Sequence, residues 1–200
     1  MSRLDELIQE LCPNGVEYKK LSKVTKIERG KRVVKKQLSQ DSGFPVFQNS
    51  LTPMGYHVDS NYPAETTFII GAGSAGEIGY SKENFWAADD CFPIVCSDSV
   101  INRYIFHFLL KKRSVLLSKV RKSSIPRLSR TVIENLMIPV PPLKVQEEIV
   151  RILDKFTTLE AELEAELEAE LTARKKQYEH YRNKLLSFSV LNKSGGGNIV

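Results

Sequence analysis

LEAELEAELEAELTAR, residues 159–174, is built from a four-residue repeat. Leucine returns at every fourth position, and alanine stands halfway between successive leucines. Because leucine, alanine and glutamate all favour helix, the repeat predicts a long α-helix. Each copy adds about 6 Å to such a helix without changing its chemistry. The number of copies could therefore set the distance between whatever lies at the two ends of the helix.

The predicted helix combines a leucine stripe with an acidic surface. A four-residue period advances the stripe by about 40° per copy, so a partner has to wind around the helix. The six glutamates between residues 160 and 170 include like-charged i,i+4 pairs, so we expect leucine burial against a partner to provide the stability. A plain coiled-coil scaffold is the alternative. The predicted partner-facing residues are Phe156, Leu159, Leu163, Leu167, Leu171 and Tyr178.

Charge is distributed unevenly along the chain. Residues 1–143 contain 20 lysines and arginines against 14 acids, whereas residues 144–200 contain nine against ten. Nine cations lie within residues 19–36 around the single acid Glu28, and eight lie within residues 111–130 with no acid. This clustering favours a polyanionic partner such as nucleic acid. The alternative is an ordinary solvated surface on a basic protein.

Composition argues against several classes of protein. The cysteines Cys12, Cys91 and Cys96 form no C-x-x-C pair, and together with three scattered histidines they make a structural zinc site unexpected. No apolar run reaches the ~18 residues of a membrane span, and the N-terminus lacks a signal-peptide core. We therefore expect reduced thiols, no bound metal, no membrane contact and a cytoplasmic location.

The apolar pattern predicts an α+β fold in which a β-rich globular domain precedes the long helix. Ser2 and Asp5 predict a capped N-terminal helix. A further helix is predicted at 103–117, a short helical turn is predicted within 131–137, and a stiff hinge follows at Pro139–Pro142. Strands are predicted at 33–34, 44–47, 66–70, 77–80 and 92–96. The predicted domains are 1–143 (globular), 144–188 (helix, with residues 144–187 spanning about 66 Å) and 189–200 (flexible tail).

The glycine-rich sequence GAGSAG, residues 71–76, matches the dinucleotide fingerprint G-x-G-x-x-G. A true fingerprint opens a helix, whereas residues 77–81 contain another glycine and predict a strand. We therefore interpret the segment as a hairpin. Its backbone amides, together with Ser74, could still approach a phosphate or a groove edge closely.

No catalytic site is predicted. Asp5 with Glu17 and Lys19 is a loose match to a nuclease arrangement, but its aspartate belongs to a surface helix. The flanks of Pro141–Pro142 lack the remaining residues of an amino-methyltransferase motif, and no nucleophile elbow is present.

Two polar loops have the chemistry of nucleic-acid contact. Cations and hydroxyls suit phosphates, whereas amide side chains can pair with adenine edges. Each residue taken alone could equally be an ordinary solvated polar group. The predicted phosphate contacts are Lys31, Arg32, Lys35, Lys36, Arg121 and Lys122, the predicted base readers are Gln48, Asn49, Ser50 and Ser123, and Ser74, Lys119 and Arg127 complete the predicted DNA-binding set.

Several motifs carry a family resemblance that spans nearly the whole chain. They are LDEL at 4–7, CPNGVEY at 12–18, the 69–79 hairpin with FWA at 85–87, SIPRLS at 124–129, and IPVPPL at 138–143 with QEEI at 146–149. Together they resemble a target recognition domain and spacer helix of type I restriction-modification specificity subunits. The LEAE repeat also resembles spacer repeats of that family, in some members of which copy number alters target spacing.

The resemblance implies a non-catalytic role in DNA recognition. Full-length members carry two recognition domains and two spacer helices, so this chain resembles a half-subunit that dimerises through antiparallel helices and reads a bipartite double-stranded DNA target. The partner could be a second copy or a different half-subunit. The resemblance further implies S-adenosylmethionine on a separate methyltransferase subunit, and cleavage by a separate ATP-driven restriction/translocase subunit.

Two other classes remain open. A stand-alone DNA-binding regulator or antirestriction decoy would bind DNA specifically without a methyltransferase. A coiled-coil adaptor would keep the long helix but would not bind DNA with a steep salt dependence.

Overall fold

The computed structural model describes residues 2–187, so the tail predicted at 189–200 lies outside them. Contacts divide the chain into two compact units, Met1–Leu153 and Asp154–Val200. The predicted α+β class is confirmed, whereas the predicted domain boundaries stay a prediction.

The helices are α1 Arg3–Leu11, α2 Leu21–Val24, α3 Asn102–Lys111, α4 Arg113–Ser118, α5 Arg130–Glu134 and α6 Leu143–Leu186. The strands are β1 Tyr18–Lys20, β2 Thr25–Ile27, β3 Phe44–Phe47, β4 Tyr56–His57, β5 Thr66–Ile70, β6 Ile78–Ser81, β7 Trp86–Ala87, β8 Cys91–Cys96 and β9 Met137–Pro139.

Helix α1 begins with the predicted capping box. The backbone N–H of Asp5 donates to Ser2 Oγ at 3.2 Å, and the backbone N–H of Ser2 donates to Asp5 Oδ2 at 2.9 Å. These two bonds satisfy backbone donors that an uncapped helix end would leave free.

A four-stranded antiparallel sheet with the order β2-β8-β5-β6 forms the centre of the first unit. Every residue of β5 is buried, as expected for a β-branched and aromatic strand covered on both faces. Helices α3 and α4 contribute Ile105, Leu109 and Leu116, which are fully buried in the core beside Ile69 of β5. This core supports the loops at the sheet ends.

A smaller sheet with the order β4-β3-β7 lies next to an aromatic cluster. Strands β3 and β7 run parallel, with Val46 opposite Trp86. The Phe47 ring stacks on Phe68 with centroids 4.7 Å apart, and Phe85 lies 5.3 Å from Phe68. The cluster joins the smaller sheet to the central one, because Phe68 belongs to β5.

Strands β1 and β9 pair with each other although more than 115 residues separate them. The pairing continues beyond β9, where the Val140 N–H donates to Glu17 O at 2.9 Å. The Tyr104 hydroxyl also donates to Pro139 O at 3.0 Å. These hydrogen bonds fix the start of the segment Pro139–Pro142, which is non-helical up to the beginning of α6 at Leu143, as predicted. Its role as a hinge stays a prediction.

Two predicted elements differ from the structure. Val34 has an extended backbone but pairs with no strand, and a 3₁₀ helix, Lys35–Gln37, follows it. The helix predicted over 103–117 is split at Lys112, where φ is −94° and ψ is 4°. The short helical turn predicted within 131–137 is confirmed as α5, Arg130–Glu134, and Met137 of β9, at the end of that range, pairs with Lys20.

Helix α6 is fixed at its start by Gln146, which is fully buried. Its side-chain oxygen accepts from the Ile101 N–H at 3.0 Å, and its Nε2 donates to Ser99 O at 2.9 Å and to Pro141 O at 2.8 Å. One amide thus satisfies backbone groups from the loop before α3 and from the segment before α6. The side chain acts as a hydrogen-bonded clamp inside the first unit.

We predict that Gln146→Ala lowers the free energy of unfolding of the full chain by about 2–4 kcal/mol, because three backbone groups lose their partner and a fully buried side chain is removed. Urea unfolding followed by circular dichroism measures the change. Gln177→Ala, at an exposed glutamine of the same helix, is the matched control and should change stability by less than about 0.5 kcal/mol. Equal effects of both substitutions would contradict the clamp.

Candidate nucleic-acid interface

Residues 30–37 form the first basic loop, which lies shortly after β2. The Gly30 N–H donates to Cys91 O at 3.0 Å, and the Lys31 N–H donates to Ala87 O at 2.8 Å. Val33 is buried and packs in a small cluster. The backbone is therefore held while the charged side chains face solvent. The predicted phosphate contacts Lys31, Arg32, Lys35 and Lys36 are all exposed.

The predicted base-reading residues 48–50 follow β3. The side chain of Asn49 is exposed, whereas Gln48 and Ser50 are half-buried. The Ser50 hydroxyl donates to Thr52 O at 2.9 Å, so it can accept a hydrogen bond from a ligand while its own proton is engaged. Asn49 is the residue of this segment with the most freedom to reach a base edge.

Residues 119–127 form the second basic loop. Arg121 and Arg127 exchange backbone hydrogen bonds of 2.8 and 3.2 Å, which close the loop. Inside it the Ser123 hydroxyl donates to Ile125 O at 2.5 Å, so the proton of this predicted base reader is engaged locally. The predicted DNA-binding residues Lys119, Arg121, Lys122, Ser123 and Arg127 are all exposed.

The glycine-rich residues 71–76 connect β5 to its antiparallel neighbour β6, as the hairpin interpretation predicts. The Ser74 N–H donates to Asn49 O at 2.9 Å, and the Gly73 N–H donates to Pro126 O at 3.1 Å. The structure therefore brings together residues 48–50, 71–76 and 119–127, which we call the loop cluster. Ser74 itself is exposed.

Residues Trp86–Cys91, which we call the anchoring segment, bind the backbone of these loops. The Gly71 N–H donates to Asp90 O at 2.6 Å, and the Ala88 N–H donates to Phe47 O at 2.8 Å. The first basic loop is bound to Ala87 and Cys91, as described above. Both basic loops, residues 48–50 and the glycine-rich hairpin are thus positioned by one segment, either directly or through the hydrogen bond of 2.8 Å from Leu128 N–H to Gly71 O. Sequence reasoning missed this role, since the segment has no strong local signal.

The cations of the loops are electrostatically available. Across residues 2–187, none of the predicted DNA-binding lysines and arginines forms an ion pair. Neighbouring cations behave differently, since Arg113 pairs with Glu77 at 2.6 Å and Arg130 pairs with Glu134 at 3.1 Å. The chain therefore separates structural cations from cations that can meet a ligand.

Glu28, the single acid of residues 19–36, is neutralised by its surroundings. Lys26 Nζ lies 2.5 Å from its carboxylate, and the Tyr62 hydroxyl donates to it at 2.7 Å. These two contacts, that of Lys26 first, lower the pKa of Glu28 below its ordinary value. Its charge is thus compensated and weakens the basic surface little.

A cleft of about 440 Å³ lies beside the loop cluster and was also missed by sequence reasoning. It is lined by Arg29, Asp89, Asp90, Arg127 and Arg130, with Gly71 and Phe92 among the other lining residues. Arg29 Nε donates to Asp89 O at 3.1 Å. The one sequence signal for the cleft is the Asp89–Asp90 dipeptide between two strands, which is typical of a turn.

The second unit exposes the predicted partner surface of α6. Phe156 is 66% exposed and the four leucines of the stripe are 49–57% exposed, values far from those of a buried core. Exposed apolar side chains repeated along one helix are typical of an interaction surface. The full predicted set, Phe156, Leu159, Leu163, Leu167, Leu171 and Tyr178, is exposed.

No group of three or more histidine, cysteine, aspartate or glutamate side chains among residues 2–187 could hold a metal ion. No helix in that same range is long and apolar enough to cross a membrane.

An α+β unit with exposed basic and amide loops, followed by a long helix with an apolar stripe, has the chemistry of a nucleic-acid recognition module. A family model described as the type I restriction modification DNA specificity domain matches residues 13–173. The chain belongs to this family, which confirms the resemblance seen in the sequence.

Known relatives match most of this chain. A Haemophilus influenzae protein named as a type I restriction enzyme specificity subunit is 35% identical over 188 residues, which are 89% of this chain and 48% of that protein. The type I restriction enzyme MpnII specificity subunit of Mycoplasma pneumoniae is 28% identical, over 82% of this chain and 51% of its own length. The chain therefore spans about half the length of these curated relatives.

Solved structures share the fold. The type I restriction-modification S subunit of M. genitalium matches with a TM-score of 0.66 at 16% identity, over 72% of this chain and 40% of that chain. The HsdS subunit of Thermoanaerobacter tengcongensis matches with a TM-score of 0.61 at 18% identity, over 80% of this chain and 44% of that chain. At such low identity these matches show the architecture alone.

We predict that Gly73→Ala disturbs the loop cluster. Gly73 has a φ of +84°, and a Cβ there would lie 2.7 Å from Asn49 O. Gly15 is the matched control, because its φ is +86° but a Cβ there would meet nothing within 4 Å. Both substitutions carry the backbone cost of about 1–2 kcal/mol, and Gly73→Ala should destabilise the chain by at least about 1 kcal/mol more. Equal losses in thermal unfolding would mean that the contact has no energetic weight.

Proposed function

We propose that this chain is the DNA-recognition half of a type I restriction-modification specificity subunit. The observation that carries the proposal is the cluster of ion-pair-free cations and amides on loops that share one backbone anchor. Phosphate contacts would position the unit on the duplex, and the amides would read base edges. The family match over residues 13–173 supports this role.

The second part of the proposal is dimerisation through α6. The chain spans 48% of the Haemophilus influenzae relative and 51% of the MpnII specificity subunit, and the resemblance implies two recognition domains in a complete subunit. Two copies, or this chain and a different half-subunit, would rebuild that arrangement by burying the exposed leucine stripes against each other. With antiparallel helices, two identical copies would read a palindromic bipartite target.

The third part of the proposal concerns the other subunits. Methyl transfer, with S-adenosylmethionine, would belong to a methyltransferase subunit, and cleavage to a restriction/translocase subunit. This chain would be non-catalytic, choosing the DNA and holding the methyltransferase on it. The family membership supports this division, since the named relatives are specificity subunits.

We predict that the methylated DNA motif reveals whether the chain acts as a homodimer. The chain is expressed with its neighbouring methyltransferase subunit in a host without DNA methylation, and methylated bases are read by single-molecule sequencing. A homodimer gives a palindromic bipartite motif. Deleting one LEAE unit, residues 163–166, shortens each helix by about 6 Å, so the non-specific spacer should lose about two base pairs. The length-preserving control, Glu164→Gln with Glu166→Gln, should leave the spacer unchanged.

Each other outcome of that experiment points to a different function. An asymmetric motif requires a second, different half-subunit. A stable complex that methylates nothing favours the regulator or decoy. A spacer that stays the same length after the deletion contradicts the distance-setting role of the helix.

We also predict that Lys35→Ala with Lys36→Ala weakens DNA binding evenly across sequences. Phosphate contacts carry no sequence information, so the preferred motif stays the same while the slope of log affinity against log salt falls by about one to two units. Titrations between about 50 and 200 mM salt measure that slope. Lys155→Ala, an exposed lysine of α6, is the control. A changed motif at an unaltered slope would show that these lysines do not contact phosphates.

A further inference from the structure

The cleft between the Asp89–Asp90 turn and Arg127 has a chemistry that phosphate binding does not explain. We propose that this cleft reads one C·G base pair of the DNA target. A carboxylate of the turn accepts a hydrogen bond from the cytosine amino group, and the Arg127 guanidinium donates to guanine O6 and N7. The proposal rests on the DNA-recognition function proposed above, to which it adds the specificity-determining residues.

The turn is a rigid platform. Cys91 N donates to Ala88 O at 2.9 Å, which makes Asp89 and Asp90 the central residues of a β-turn. Their backbone carbonyls are also occupied, since Asp89 O accepts from Arg29 and Asp90 O accepts from Gly71. The turn belongs to the anchoring segment, so its position relative to the loop cluster is fixed by the same hydrogen bonds.

The carboxylates of this turn are available for a ligand. Within residues 2–187 neither Asp89 nor Asp90 uses its carboxylate in an ion pair or a hydrogen bond, although three arginines line the same cleft. Arg130 pairs with Glu134, and Arg29 uses its Nε to donate to the backbone carbonyl of Asp89 in the turn itself. Arg127 forms no side-chain bond in the described part of the chain. The Arg127 guanidinium and the two carboxylates can therefore meet a ligand with all of their hydrogen-bonding groups.

Electrostatics decides which part of the DNA suits this arrangement. Carboxylates among phosphate-binding loops repel the phosphates over a screening distance of about 8 Å, so they lower affinity unless they meet a donor. In the major groove the exocyclic amine of cytosine is such a donor, and carboxylates accept from it. Guanine presents only acceptors there, O6 and N7, which repel a carboxylate and suit Arg127. The cleft thus favours one orientation of a C·G pair and rejects the reverse orientation.

The test uses the complex of the full chain with its methyltransferase subunit. Wild-type protein first selects its motif from a library of random duplexes. The binding of duplexes that carry each single base-pair change in the motif is then measured for four proteins. They are wild type, the single variants Asp89→Asn and Asp90→Asn, and the double variant Asp89→Ala with Asp90→Ala. We expect the aspartate variants to lose about tenfold discrimination at one C·G position, with the other positions and the salt slope unchanged. Arg127→Ala should relax the same position.

Asp98→Asn removes the same charge at the opposite end of β8 and is the control that should leave the motif intact. If the aspartate variants keep the full motif and bind every duplex more tightly by one common factor, the carboxylates merely repel phosphates and the proposal is overturned. The proposal is also overturned if wild-type protein recognises its motif only in the presence of Mg²⁺ while the aspartate variants recognise it without Mg²⁺. That result would mean that the carboxylates of the turn bind a cation. If wild type selects no motif, it is the DNA-recognition function that fails.

Discussion

Main-chain hydrogen bonds from the anchoring segment, Trp86–Cys91, determine where the irregular parts of the first unit lie. The first basic loop, the last residue of β3 and the glycine-rich hairpin each form a backbone hydrogen bond with this segment. The Asn61 side chain holds it from another side, since its amide bonds both the N–H and the C=O of Ala87. Loops without regular structure are thus positioned by backbone groups that would otherwise lack partners.

In this arrangement the atoms that hold the loops in place differ from the side-chain atoms that are exposed to a ligand. Because the anchoring bonds use backbone atoms, they do not depend on which side chains the loops carry. Lys35, Asn49 or Arg121 could be exchanged for other polar residues without losing the bonds that place their loops. A rigid scaffold with variable loop side chains is how many proteins change a ligand while keeping a fold. The physical reason here is that the binding chemistry and the folding chemistry use different atoms.

Sequence reasoning succeeded where the signal was local. The capping box at Ser2, the apolar strand Thr66–Ile70 and the long repeat helix were all visible in neighbouring residues. It failed where the secondary structure of a segment depends on a pairing partner far away in the sequence. Tyr18–Lys20 becomes a strand because it meets Met137–Pro139, whereas Val33 and Val34, with higher β propensity, meet no strand. The cleft beside Asp89–Asp90 also depends on residues that are close only in the fold, so the sequence could indicate the turn but not the arginines that face it.

The first turns of helix α6 are held by polar side-chain contacts, whereas its repeat segment exposes glutamates and leucines. Its first turns are fixed by polar contacts, since Gln146 is fully bonded and Arg151 holds the buried Glu148 with two hydrogen bonds of 2.8 and 2.7 Å. These bonds, with Arg151 as the main cause, lower the pKa of Glu148, so it stays charged and paired. Farther along, the glutamates of the repeat are exposed beside the leucine stripe. Such a surface repels phosphates, which fits the proposal that the basic loops contact DNA, and burial of the leucine stripe is the attraction that the helix offers to a second copy with the same acidic charge.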